Sequence, residues 1–151
     1  MYYSSDTVGS RVDAAACERG VNSVISFENF IMEDGSPIYQ QILRFIKRGV
    51  IAGTIADGDE LPSRRVLSAL LGVNPNTVQK AYRLLEEEKL ICSHSGAKSY
   101  MLIDEVKVRR IRGEILENDT KNAVRLLRQM GISREEAVAL ISEYWDRSDE
   151  N

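Results

Sequence analysis

The first strong periodicity follows Asp34-Gly35, where Ile38, Ile42, Phe45, Ile46 and Gly49 fall on one face at helical spacing. Ser36 is the expected N-cap and Pro37 the expected first helical residue, because proline's missing N–H is not needed there. Gly53 is expected to end this helix, and Asp57-Gly58-Asp59 to turn the chain. Ser63 then caps a short helix whose buried face reads as Leu67, Leu70 and Leu71, closed by Gly72 in the left-handed conformation. Asn74-Pro75 repeats the start signal. A third helix is predicted to about Lys89, with Val78, Ala81, Tyr82 and Leu85 facing inward. Two helices joined by a short Gly-containing turn are the helix-turn-helix pattern.

Leu90-Ile91-Cys92 and Tyr100-Met101-Leu102-Ile103 read as two strands around a polar tip, Ser93 to Ser99. Three helices followed by a hairpin give a mainly α fold with a small β-hairpin, a winged helix-turn-helix over residues 24–103. Upstream, Val24 to Ile31 is β-branched and aromatic and reads as a short strand or an extended arm. Residues 1–23 lack apolar periodicity and read as a disordered tail. Downstream, residues 104–151 read as two helices. Ile111, Ile115, Leu116, Ala123, Leu127 and Met130 form the first apolar stripe, which Gly131 closes. Ser133 and Glu136 are spaced as a capping box, with Ile132 and Ala137 as its hydrophobic staple. Ala137, Leu140, Ile141 and Tyr144 make the second stripe. So short a helical hairpin must bury these stripes against the first domain or against a second copy of the chain.

Composition narrows the class. The 151 residues are 43% hydrophobic and 28% charged, ordinary for a globular chain. One histidine (His94) and two cysteines far apart (Cys17 and Cys92) supply neither a zinc site nor a disulfide framework, so no metal is expected and a reducing, cytoplasmic compartment is. The sequence contains neither a transmembrane run nor a signal-peptide layout, and no membrane partner is expected. The net charge of −3 hides an uneven distribution: residues 1–36 carry −4, residues 37–103 carry +3, and residues 104–151 carry −2. The positive middle is a hint of polyanion binding.

The candidate chemistry lies in that middle. Asn76, Lys80 and Arg83 share the side of the third helix opposite its apolar face, flanked by Thr77 and Gln79. These side-chain types hydrogen-bond base edges and phosphates in a major groove, and recognition helices offer their N-terminal residues to the bases. Arg64 and Arg65 open the second helix, where guanidiniums beside free backbone N–H groups suit a phosphate. At the hairpin tip, His94 and Lys98 are placed to meet phosphates or a minor groove. The plain alternative is a solvated helix face, a surface Arg pair and a loop histidine. No catalytic constellation, phosphate loop or cofactor motif stands out, so the chain is read as a non-enzyme without a cofactor.

Three ordered blocks, Pro37-Ile38-Tyr39-Gln40-Gln41-Ile42, Leu61-Pro62-Ser63-Arg64-Arg65 and Val73 through Tyr82, resemble the GntR family of bacterial transcriptional regulators. The Asn74-Pro75-Asn76-Thr77-Val78 run and the short helical tail resemble its YtrA-like branch. The resemblance implies a homodimeric repressor on a double-stranded operator of two-fold symmetry, in a branch that often controls adjacent transporter genes. It implies a C-terminal two-helix dimerisation tail over residues 104–151, and leaves a small-molecule effector open. Residue by residue, Arg65 falls on the family's DNA-contacting arginine, Asn74, Asn76 and Thr77 on the start of its recognition helix, Lys80 further along it, and Gly96 on the wing turn. Val66 departs from the usual Glu, which removes a capping partner for Ser63, and Lys98 replaces a second wing glycine. The rival reading is a winged-helix protein-interaction module whose acidic ends repel DNA.

Overall fold

The computed structural model describes residues 23–94 and 98–147. The expected tail through residue 22 and the wing tip, with Gly96, lie outside the described residues. The chain divides into two compact units, one up to Arg112 and one from Gly113.

In the first unit, helix α1 spans Ile38–Ala52 and buries Gln41, Ile42, Ile46 and Val50. It starts one residue later than expected, with Pro37 in the cap position and no side-chain cap. Ser36 serves differently: its carbonyl accepts from Gln41 Nε2 at 2.8 Å, which ties the helix to the preceding loop. Gly53 ends α1 at φ 79°, in the region glycine enters without steric cost. Phe27 and Phe30 of the arm pack against Phe45 of α1, the closest ring centroids 4.9 Å apart.

Strand β1, Glu60–Leu61, pairs with β3, Lys98–Met101, which pairs with β2, Ile91–His94, all antiparallel in the order β1-β3-β2. The sequence pattern indicates only the hairpin, whose strands sit one or two residues away from the predicted bounds. A two-residue strand has no periodicity to read, so β1 emerges only from its pairing. The extended arm completes this edge: Glu60 N–H donates to Ser23 O and Ile25 N–H to Glu60 O, each at 2.8 Å.

Helix α2, Arg64–Leu71, and helix α3, Pro75–Glu87, form the helix-turn-helix. Ser63 Oγ accepts from Val66 N–H at 3.1 Å, as the sequence predicts. Gly72 closes α2 in the left-handed conformation at φ 65°. The buried face of α2 differs from expectation: Leu67 and Ser68 are buried, Leu71 is half-buried, and Leu70 is 62% exposed. Ser68 tolerates the inward position because its hydroxyl donates to Arg65 O within the helix, so that hydroxyl is satisfied. Asn74 caps α3, its side chain accepting from Asn76 N–H at 2.8 Å. Val78, Ala81, Tyr82 and Leu85 are all buried, and α3 ends at Glu87, two residues before the expected limit.

Asp104 caps helix α4, Glu105–Gln129, by accepting from Lys107 N–H. In the first unit, Lys107 Nζ donates to the carbonyls of Lys89 and Leu102, and Arg110 Nη2 to Glu88 O at 3.3 Å. Ile111 is fully buried there, so it serves the core of its own chain and is unavailable to a second copy. In the second unit, Gly131 turns at φ 73° into helix α5, Arg134–Arg147. Ser133 Oγ accepts from Glu136 N–H, the expected cap. Among the described residues, no helix is long and apolar enough to cross a membrane.

Candidate nucleic-acid interface

Packing of Leu67 against the buried face of α3 leaves the first turn of α2 and the outer face of α3 in water. Arg65, Asn76, Gln79, Lys80 and Arg83 are all exposed, and Thr77 is half-buried at the edge of this row. Asn74 is also exposed, but its carboxamide oxygen is engaged in the helix cap, so its contribution here is to orient the residues that follow.

The cations differ in what holds them. Arg65 has no ion pair or hydrogen bond from its side chain among the described residues, and its guanidinium stands in solvent. Arg64 turns inward, its Nη2 4.0 Å from Glu86 and its guanidinium 5.5 Å from the Tyr82 ring centroid. Its Nε is buried without an acceptor. Arg83 lies 3.8 Å from Glu87 one turn along α3, both exposed, a pairing that water and salt screen almost completely. Lys80 Nζ stands 4.0 Å from the centroid of the Tyr39 ring, on α1.

Beneath the row, Tyr82 anchors α3 to the entry of α2 by donating its hydroxyl to Pro62 O at 2.6 Å. Burial pushes the Tyr82 phenol well above its ordinary value, and the Arg64 charge only partly offsets this. Glu86 joins three elements: it faces Arg64 of α2 and accepts from Ser93 Oγ of β2, while lying on α3 itself. At the hairpin, His94 and Lys98 are exposed and sit opposite each other in the strand register. Lys98 Nζ is 4.0 Å from Glu60 Oε1. Glu88 is drawn back by Lys47 at 2.8 Å, so the acidic run after Leu85 is partly neutralised from α1 and α2.

Sequence reasoning missed Tyr39 and Glu86. Tyr39 stands within one of the family-like blocks, and Glu86 in a charge run that reads as solvated surface. Neither position reveals its partner without the packing of α1 and α2 on α3. Among the described residues no cluster of three or more His, Cys, Asp or Glu side chains could hold a metal ion. A cavity of about 740 Å³ lies between the arm and α1, but its buried polar groups are already used. Gln41 bonds Glu33 and Ser36, and Asp59 accepts from Ser23 Oγ and Ala56 N–H.

The second unit presents a different surface. Leu116, Ala123, Met130, Ile141 and Tyr144 of the expected stripes are exposed, whereas Ile115, Leu127 and Leu140 are half-buried. The sequence reading did not include Val124, Leu126, Val138 and Trp145, which are also exposed, Trp145 at 73%.

A helix-turn-helix followed by a β-hairpin, with a polar and cationic outer face on its second helix, defines a winged-helix DNA-binding protein. Residues 38–100 match the family described as bacterial regulatory proteins, gntR family. A GntR family transcriptional regulator from Listeria monocytogenes, of solved structure, is 33% identical, with 74% of this chain and 98% of that one covered and a TM-score of 0.63. The chain belongs to the GntR family, whose members are DNA-binding transcriptional regulators. The HTH-type transcriptional repressor YtrA of Bacillus subtilis (strain 168) is 42% identical over 66 residues, 44% of this chain and 51% of that protein. This match therefore spans about half the length of that relative. A transcriptional regulator from Oenococcus oeni, also of solved structure, is 26% identical, with 79% of this chain and 99% of that one covered and a TM-score of 0.54. These relatives are described as transcriptional regulators, not enzymes.

Proposed function

We propose that this protein is a cytoplasmic, sequence-specific repressor that binds double-stranded operator DNA as a homodimer. The observation that carries the reading is the continuous exposed row Asn76, Gln79, Lys80 and Arg83 on α3, with Arg65 beside it on α2. Asn76, Thr77 and Gln79 have the donors and acceptors to read base edges near the start of a recognition helix. Arg65, Arg83, His94 and Lys98 supply charge for the phosphates.

The exposed apolar residues of α4 and α5 support pairing through this tail, since a stripe of this size is costly to leave in water. A symmetric pair offers two recognition helices to successive major grooves about 34–36 Å apart, which matches an operator with two-fold symmetry. The similarity to the repressor YtrA supports repression; an operator upstream of its own or neighbouring transporter genes is part of this proposal.

Fluorescence anisotropy on DNA from upstream of its own gene, beside a scrambled duplex and across a salt titration, tests the reading. Tighter binding than the scrambled control, with log affinity falling linearly in log salt, is the expected result. Absence of binding at low salt would sink it and favour a protein-interaction module.

A further inference from the structure

The outer face of α3 has two unlike flanks. By helical spacing, Lys80 is rotated toward the side that carries Thr77 and Leu84, and Gln79 toward the side that carries Glu86. The Glu86 flank meets α2 through Arg64. The opposite flank meets α1, because Lys80 Nζ stands 4.0 Å from the centroid of the Tyr39 ring. Tyr39 is half-buried in the first turn of α1, and its hydroxyl accepts from Gln40 Nε2 at 3.2 Å. A cation at this distance over an aromatic face is attracted by the ring's quadrupole. Lys80 has no competing ion pair among the described residues. The ring therefore holds the ammonium at the α1 edge of the interface, away from its centre.

We propose that Tyr39 is a positioning residue that fixes Lys80 as a phosphate clamp at the edge of the DNA interface, leaving base reading to Asn76, Thr77 and Gln79. This inference rests on the DNA-binding reading and gives Lys80, to which that reading assigned neither bases nor phosphates, to the phosphates. The chemistry favours a phosphate. An ammonium is a compact point charge without the planar donor pair that discriminates base edges. The aromatic face covers one side of it, so N–H donors are left for an anion on the other. Because the long Lys stem loses rotamer freedom whenever its head is fixed, holding it beforehand lowers the ordering cost of contact.

The full chain is tested by anisotropy on its upstream DNA and on a scrambled duplex, across salt, as wild type, Lys80→Met, Tyr39→Phe, Tyr39→Leu and the Tyr39→Leu/Lys80→Met pair. Lys80→Met is expected to weaken both duplexes by a similar factor and to reduce the salt slope by about 0.9. Tyr39→Phe, which keeps the ring, is expected to bind as wild type does, whereas Tyr39→Leu loses affinity by about two- to fivefold. Tyr39→Leu causes no further loss once Lys80 is Met. In the DNA-free protein, ring current shifts the Lys80 ε-methylene proton resonances upfield in wild type and Tyr39→Phe, and Tyr39→Leu abolishes the shift. Thermal unfolding of each variant separates these effects from loss of fold. Equal losses from Tyr39→Leu in both Lys80 backgrounds, or a Lys80→Met loss confined to the upstream DNA, overturns the inference and leaves the DNA-binding reading standing. A wild type with the upfield Lys80 resonance and no affinity for either duplex overturns both.

Discussion

Arg64 and Arg65 are neighbours of identical chemistry with different surroundings. Arg64 is drawn onto Glu86 and the Tyr82 ring, whereas Arg65 stands in solvent. Arg65→Ala is expected to weaken upstream and scrambled DNA alike and to lower the salt slope by about 0.9. Arg64→Ala is expected to lower the urea midpoint and leave the slope in place; an equal fall in slope would put Arg64 on a phosphate instead. Asn76→Ala should act on sequence preference, with about 1–3 kcal/mol of discrimination lost in competition against duplexes altered one base pair at a time. Tyr82 makes a pH prediction. Its folded pKa is raised by burial, so the neutral phenol's contribution is complete below about pH 10 and declines above it, where only the unfolded chain ionises. Urea midpoints should therefore fall between pH 9 and 11. Tyr82→Phe should flatten that fall, while losing about 1 kcal/mol at neutral pH with the bond to Pro62.

At the scale of elements, the helix-turn-helix depends on its end caps more than on helix length. Helix α2 has only eight residues, below the length at which a helix sustains itself in water. Ser63 satisfies Val66 N–H, and with valine at that position no acidic side chain returns the contact. Ser63→Ala should therefore cost about 1 kcal/mol in a denaturant titration. A loss of under a few tenths would mean that water replaces the hydroxyl. Asn74 at the head of α3, both helix stops at glycine, and the apolar face of α3 were all legible, because caps and periodicity are local. The buried face of α2 was read less well. Leu70 is exposed and Ser68 buried because the face of α2 that turns inward is set by its packing on α3, which lies beyond the reach of an eight-residue periodicity.

For the whole molecule, the two compact units divide the proposed work between DNA reading and pairing. Ile141 is half exposed, on a helix with no buried residue in the single chain. Ile141→Asp is expected to convert a two-chain particle into single chains in sedimentation equilibrium. Operator affinity should fall with it, because the second half-site is no longer reached by the same particle. An unchanged mass would exclude this face from the interface. Within the first unit, Lys107 and Arg110 bind the carbonyls of Lys89 and Glu88 just past the end of α3, so the first turns of α4 are fastened there.

The sequence alone determined what depends on near neighbours: the helices, the caps of α2, α3 and α5, the hairpin, the inward face of α3 and the polar row opposite it. It also ordered the three blocks that resemble the GntR family. Tertiary structure decided what depends on residues distant in the chain. Strand β1 exists because Glu60-Leu61 meets β3, some forty residues on. Ile111 left the pairing stripe because it is buried in the first unit. Arg64 faces inward and Lys80 rests over Tyr39 because α1, α2 and α3 converge. Periodicity assigns a side chain to a face, but the free energy of a charge or an apolar group there depends on which distant groups share it.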